Sequence, residues 1–504
     1  MSRVRLADVD LFVLCLEIFV LFCLETAFIV YLLWKTRIKK GSFNESVIGR
    51  HFNEWRKPIF CFGIQDEIVE EFFDDNRLHI ERDDWELSCE IVDRVLDVVV
   101  GEMVKVANER FPGLIFGGTL KKQGSSRDGL KVCDALEFDL LIPFYIEDIC
   151  MVERVVCEGN GSPIPGLKKM EIMNYLKFPL WGARYNLLYH ENEKTYINAR
   201  NLQTRVFTFI LDQIKNRFNI RFKRVTKNTY NEYSIVLKPE SPNLKITIKV
   251  KSKDGLDGFK NLLDSGYNNE DSSDLNEVNL EIDLVPGFLL STDTYTCYAD
   301  NDRFVSCERY GVIKWLKEGD LNISSEDGDL IWRNSSCGYE KCIFDIAQKN
   351  PDQLYIMTAC IVLKGSLRQF EPESTDKLRI VLQSYHLKTL CHYGILFLSI
   401  LEQESTISSV TDALGYLMEF LRLSLNAENL PHFFHGNPYL DAMFPGSCFG
   451  NERNFNMFAK HSPESLDQAR LQFSCFAYKL RNLYCEKHLL DRNTIKLFAG
   501  LLFV

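Results

Sequence analysis

The sequence predicts an α+β protein: a mixed β-sheet lobe backed by one long helix, then an α-helical C-terminal lobe, with an N-terminal transmembrane helix. Three observations carry this prediction. Residues 137–142 and 281–286 alternate charged and apolar side chains, the period of two that a half-buried strand requires. After about Tyr310 the apolar residues recur at helical spacing instead. Residues 11–34 are apolar almost without interruption. The implied organisation is a membrane anchor over 1–40, a connecting segment over 41–82, a sheet-containing core over 83–305 and a helical lobe over 306–504.

As a helix, residues 11–34 would be about 36 Å long, enough to cross a bilayer. Their Leu, Ile, Val and Phe side chains favour insertion by roughly 5–10 kcal/mol. Glu17 and Glu25, eight positions apart and so on roughly one side, oppose it by on the order of 5–7 kcal/mol. The stretch lacks an Ala-x-Ala cleavage site, which favours an anchor over a signal peptide. Lys35, Arg37, Lys39 and Lys40 follow it while only Arg3 and Arg5 precede it, so a single-pass membrane protein with a cytosolic body is expected.

Beyond the connecting segment, Trp85, Cys89, Val92, Val95, Leu96, Val99, Met103 and Val106 form the stripe of a long helix, which Phe111-Pro112-Gly113 ends. Residues 245–251 alternate Lys with Ile, Thr and Val and read as an edge strand with a charged outer face. The polar loop over 254–276 would join that strand antiparallel to the strand bearing Asp283. Helical periodicity then covers 342–347, 353–370, 376–401, 410–427 and 465–487, with Pro431, Pro438 and Pro445 interrupting the chain before the last helix.

The net charge of −11 argues against wholesale electrostatic binding to duplex nucleic acid. Sixteen cysteines are scattered without the spacing of a disulfide scaffold, which suits a reducing compartment.

The chemistry-bearing stretch is residues 124–144. It opens on Gly124-Ser125-Ser126, whose backbone N–H groups and hydroxyls suit a phosphate. It closes on a strand that sets Glu137 and Asp139 on one face and Phe138 and Leu140 on the other. Adjacent carboxylates repel unless a cation lies between them, and a hard divalent ion prefers such oxygen ligands. Glu281 and Asp283 repeat the pattern on a second strand.

A Gly-Ser turn, a Glu-x-Asp strand and a distant Asp resemble the nucleotidyltransferase signature of the male-abnormal-21 and cyclic GMP-AMP synthase family. Trp332-Arg333-Asn334-Ser335-Ser336-Cys337-Gly338-Tyr339-Glu340-Lys341 and Ser384-Tyr385-His386-Leu387-Lys388-Thr389 resemble two further segments of that family. Leu430-Pro431-His432-Phe433-Phe434-His435-Gly436-Asn437-Pro438 is similar to its inositol-trisphosphate-receptor-interacting-protein-like branch. The resemblance spans roughly residues 80–480. It implies a nucleotidyltransferase-type sheet in which Glu137, Asp139 and Asp283 are catalytic and hold Mg²⁺ or Mn²⁺. A nucleoside triphosphate would be held by Gly124 and Ser125 at phosphate, Arg333 and Ser384 on the phosphate side, and Tyr385 stacked on the base.

Departures from the family narrow this. Cys337 stands where the synthase has a second serine, and the synthase's later helical lysine falls near Cys360 or Lys364, so its role does not carry over. The zinc-ribbon insertion is absent, and Cys391-His392 with Cys337 and Cys342 are too sparse for a four-ligand site, so no zinc and no duplex-DNA sensing are expected. Two functions remain open on this scaffold: metal-dependent nucleotidyl transfer, or non-catalytic regulation of a membrane partner such as an inositol trisphosphate receptor.

Overall fold

One strand of 21 residues, β11 (Glu277–Cys297), organises the sheet by changing partners along its length. The computed structural model describes residues 82–485 apart from 118, 125–127, 129, 133–135, 160, 218–221, 226–229, 241–242, 253–276, 298–302, 315–327, 370–376 and 401–406. These residues belong to the compact unit Phe60–Val504. Thirteen strands form one sheet among them. In chain order they are β1 (Leu114–Phe116), β2 (Lys121–Gln123), β3 (Glu137–Ile146), β4 (Met151–Cys157), β5 (Pro163–Ile172), β6 (Leu188–Glu191) and β7 (Lys194–Ile197). They continue with β8 (Phe222–Val225), β9 (Tyr230–Glu240), β10 (Asn243–Ser252), β11, β12 (Arg303–Ile313) and β13 (Ile331–Ser335).

The first half of β11 lies between β10, antiparallel, and β3, parallel. Its second half pairs antiparallel with β12, with a register shift between Leu289 and Ser291. The side-chain period of two then decides what each face carries. Phe138, Leu140 and Ile142 of β3 and Ile282 and Leu284 of β11 turn into one core. Helix α1 (Arg82–Arg110) covers them with Val92, Leu96, Val99 and Met103, and Trp85 stacks on Phe138 at 5.4 Å between ring centroids. Ile210, Leu211 and Ile214 of α2 (Thr208–Arg217) join the same core. Fully burying each such side chain contributes about 1.5–3 kcal/mol, so the register of β3 and β11 is strongly fixed. The long backing helix and the mixed sheet thus follow the sequence pattern closely.

The helical part comprises α3 (Cys337–Ala347), α4 (Pro351–Gln369), a short turn at Lys377–Val381, α5 (Ser384–Gly394), α6 (Val410–Asn426) and α7 (Pro463–Cys485). The single helix expected over 376–401 is broken at Gln383, whose backbone is extended. There the Gln383 side chain accepts the backbone N–H three residues on, and His386 Nδ1 accepts the Gln383 N–H at 3.0 Å. This reciprocal cap starts α5 as a separate helix.

Several expectations need correction. No helix among the described residues is long and apolar enough to cross a membrane. That finding overturns the transmembrane helix in the predicted fold and the single-pass membrane placement with it. The expectation rested on one apolar run judged to outweigh its two glutamates, whereas the described helices interrupt their apolar runs with charge, as α4 does with Asp352, Lys364 and Arg368. Residues 11–34 themselves, with all of 1–81, lie outside the described residues. Strand β10 is no edge: it is paired on both sides, with β9 and β11. Ile246, Ile248 and Val250 are fully buried, so its lysines mark the second face of an interior strand. The sheet also runs past residue 306, because β12 and β13 belong to it.

Candidate active site

Parallel pairing of β3 with β11 sets Glu137 opposite Glu281 and Asp139 opposite Asp283. Neighbouring strands lie about 4.8 Å apart, so four carboxylates share one patch on the face away from α1. Asp139 bears most of the strain. Its carboxyl is pushed above the usual range by burial first and then by the charge of Asp283, with Lys131 opposing and Glu137 adding. The residue is open to solvent by surface area, yet its carboxylate is crowded by neighbouring atoms. A recessed group on a cleft wall accounts for both.

The turn after β2 closes against this patch. Gln123 pairs with Asp139 across β2 and β3. Gly124 follows with φ +73°, and a Cβ there would come within 2.1 Å of Asp139 Oδ2. Only glycine tolerates both the backbone angle and the approach. The Asp128 N–H donates to the Gly124 carbonyl at 3.2 Å, which ties Asp128 to the glycine that abuts Asp139. Ser125 lies outside the described residues.

The helical part supplies rings, and the neighbouring strand β13 supplies a cation. Tyr385, second residue of α5, is 39% exposed, while its hydroxyl donates to Glu340 Oε1 at 3.2 Å and meets His432 Nε2 at 3.3 Å. His432 Nδ1 accepts the backbone N–H groups of Phe434 and His435. In the neutral ring the proton therefore sits on Nε2 and points at Tyr385. The tyrosine ring is open and its hydroxyl is tethered. Ser384 is exposed at the first position of α5. Arg333 is exposed on β13, electrostatically coupled to both Tyr385 and His432. No ion pair holds it among the described residues.

Reading residues by type missed Asp128, Glu340 and Lys388. Lys388 Nζ lies 2.5 Å from Asp128 Oδ2 and 2.5 Å from Glu340 Oε2, with all three side chains nearly sealed from solvent. Burial alone would push the ammonium's pKa down, but Glu340 and Asp128 outweigh it and hold it above the usual lysine range. The spacing carried a faint signal, since Lys388 falls three positions after Tyr385 on the same helical face.

The donor set on the sheet wall is all carboxylate oxygen, which suits a hard divalent cation. It is not drawn together, however. Lys131 Nζ lies 3.5 Å from Glu137 Oε2, and Lys245 Nζ lies 3.0 Å from Glu281 Oε2. Among the described residues no three His, Cys, Asp or Glu side chains are grouped closely enough to hold a metal. The face presents a strained aspartate pair flanked by two outer carboxylates that lysines divert. No known family's sequence model matches the chain, and no curated protein matches it significantly.

Proposed function

We propose that the chain binds a nucleoside triphosphate together with Mg²⁺ or Mn²⁺ between the β3–β11 carboxylates and α5, and that it transfers the nucleotidyl group to an acceptor hydroxyl. The observation that carries this reading is the register of Asp139 against Asp283, with Gly124 closed onto Asp139. Asp139 and Asp283, joined by Glu137 once it leaves Lys131, would hold the cation. When bound, such an ion lowers the pKa of the attacking hydroxyl and offsets charge on the leaving pyrophosphate. Gly124 would meet phosphate with its backbone N–H, Arg333 and Ser384 would flank the phosphate side, and Tyr385 would stack on the base. Their common task is to position reactants, the main protein contribution in such transfers.

One observation favours a second reading, binding without turnover: Glu137 and Glu281 are engaged by lysines. Incubating the full chain with labelled nucleoside triphosphates and Mg²⁺ or Mn²⁺ separates the two. Transfer predicts a labelled product and pyrophosphate, both abolished by Asp139→Asn. Metal-strengthened binding with no product leaves the second reading. Binding that ignores metal and Asp139 alike overturns both.

A further inference from the structure

The segment between the Gly-Ser turn and the carboxylate strand is held by the helical part at three alternate positions. Lys388 of α5 pairs with the Asp128 side chain. Lys364 Nζ of α4 donates to the Leu130 carbonyl at 3.1 Å. Arg368, one helical turn further on, donates to the Val132 carbonyl at 3.3 Å. Leu130 and Val132 are themselves buried, at 2% and 1% exposure. Residues 364 and 368 lie one turn apart on one face of their helix. Together with Lys388 they bring three cations onto one short stretch of chain.

The grip reaches the ring proposed to stack on a base. Glu340 accepts from Lys388 through Oε2 and from Tyr385 through Oε1. Tyr385 in turn meets His432, whose tautomer is fixed by two backbone amides. A continuous polar chain therefore runs from Asp128 through Lys388 and Glu340 to Tyr385 and His432. Its far end packs at the H-F-F-H-G-N-P segment, and at its near end the Asp128 N–H donates to the carbonyl of Gly124, which abuts Asp139.

We propose that Lys388 is a positioning residue which, by pairing at once with Asp128 and Glu340, sets Gly124, bonded to Asp128, and Tyr385 in fixed relation, so that the two act as one binding unit. This rests on the nucleotide reading above. Lys388 touches no ligand in this scheme; it fixes the spacing between groups that do. Lys364 and Arg368 extend the same grip toward the carboxylate strand. A buried, fully bonded network is well suited to such a task, because displacing one member leaves the next unpaired.

The test uses the full chain and two readouts. Asp128→Asn keeps the Lys388–Glu340 pair and removes only the tie to the turn, while Tyr385→Phe removes the hydroxyl and keeps the ring. Amide hydrogen exchange should accelerate about tenfold or more at residues 128 and 130–132 in Asp128→Asn, with the α6 and α7 peptides unchanged. Mg²⁺-ATP affinity should fall in both single variants. The double variant should lose less than the product of the two, a coupling on the order of fivefold or more. If Asp128→Asn does not fold, Arg368→Gln supplies the exchange measurement at 130–132 and Lys388→Arg, with Tyr385→Phe, the coupling measurement. Unchanged exchange in a folded variant, or strictly multiplicative losses of affinity, overturns the proposal. If the wild type binds no Mg²⁺-ATP, the nucleotide reading falls and with it the binding-unit claim, whereas the exchange result still decides whether the tie holds the turn.

Discussion

The sheet wall, with its carboxylates, and the helical wall place the same chemistry in opposite settings. On the sheet wall Glu281 and Lys245 form an ion pair with 41% and 23% of their side chains exposed. On the helical wall Asp128, Lys388 and Glu340 form one with 4%, 8% and 12% exposed. Water screens the first pair far more than the nearly sealed second. Exposed pairs contribute about 0–1 kcal/mol, whereas breaking a buried one costs about 3–5 kcal/mol because a desolvated charge is left behind. The sheet wall can therefore exchange its lysine partners for a ligand cation at little cost. The helical wall cannot rearrange without disrupting the fold, which suits it to hold geometry.

Lys388→Met is expected to have the largest effect, since it strands two buried carboxylates at once. Urea denaturation should show a loss of about 3–5 kcal/mol. Adding Asp128→Asn and Glu340→Gln to the same chain should recover a substantial part, because the charges to be desolvated are then gone. A single-variant loss below about 1 kcal/mol would place this wall in the exposed class and erase the contrast.

Acid should act on the helical wall next. His392 is sandwiched between Phe344 and Phe433, with ring centroids 4.7 and 4.8 Å away, and burial with the nearby Lys388 outweighs Glu340 to push its pKa down to about 3. His386, against Phe458 and facing Lys460 and His461, is pushed down to about 4, mainly by burial. Both stay neutral when folded and take up a proton on unfolding below the ordinary imidazole value of 6.5. The unfolded chain thus binds more protons, and stability falls as pH drops from about 6.5 toward 4 and 3. Glu452 works in a lower window. Burial would raise its pKa, but the His435 hydrogen bond and Lys168 bring it to about 2, so its contribution is lost only as pH falls from about 4.5 to 2. His392→Phe keeps the ring stack and should flatten the slope of thermal stability between pH 6.5 and 4. An unaltered slope would mean that His392 is not neutral in the folded protein.

The sheet wall was legible in the sequence because a period of two needs no tertiary information. Glu137, Asp139 and Asp283 announce themselves by alternation, and the buried residues between them fix which face they take. The helical wall was much less legible. Tyr385 could be named through the family resemblance, and Lys388 falls in the same matched segment, but its partner could not be named until folding brings Asp128, 260 positions earlier in the chain, against it. The break at Gln383 was missed because the apolar period continues through it, while the cap that ends the continuity is made by polar side chains. The interior placement of β10 was missed for a related reason. Lysines on one face say that the face is polar, and they do not say how many neighbours the backbone has.

The smallest expected effect sharpens the comparison from the sheet side. Lys245 sits on β10 directly across from Asp283 in the ladder and reaches diagonally to Glu281. Replacing it with Met removes an exposed pair, so stability should change by less than about 1 kcal/mol and less still as salt is raised. The electrostatic consequence for the patch is opposite in sign. Four carboxylates lose one compensating charge, and Glu281 loses the partner that turned it aside. A divalent cation then relieves more repulsion than before, so Lys245→Met should bind Mg²⁺ or Mn²⁺ more tightly by calorimetry, by about two- to fivefold if the change is worth up to 1 kcal/mol. The gain should disappear when Asp139→Asn is combined with it, because the inner pair supplies the repulsion that the cation relieves. Weaker metal binding in Lys245→Met, or a gain that survives without Asp139, would show that the lysine holds the patch in a metal-ready shape and does not compete with the ion. In that case the sheet wall would be as preorganised as the helical one.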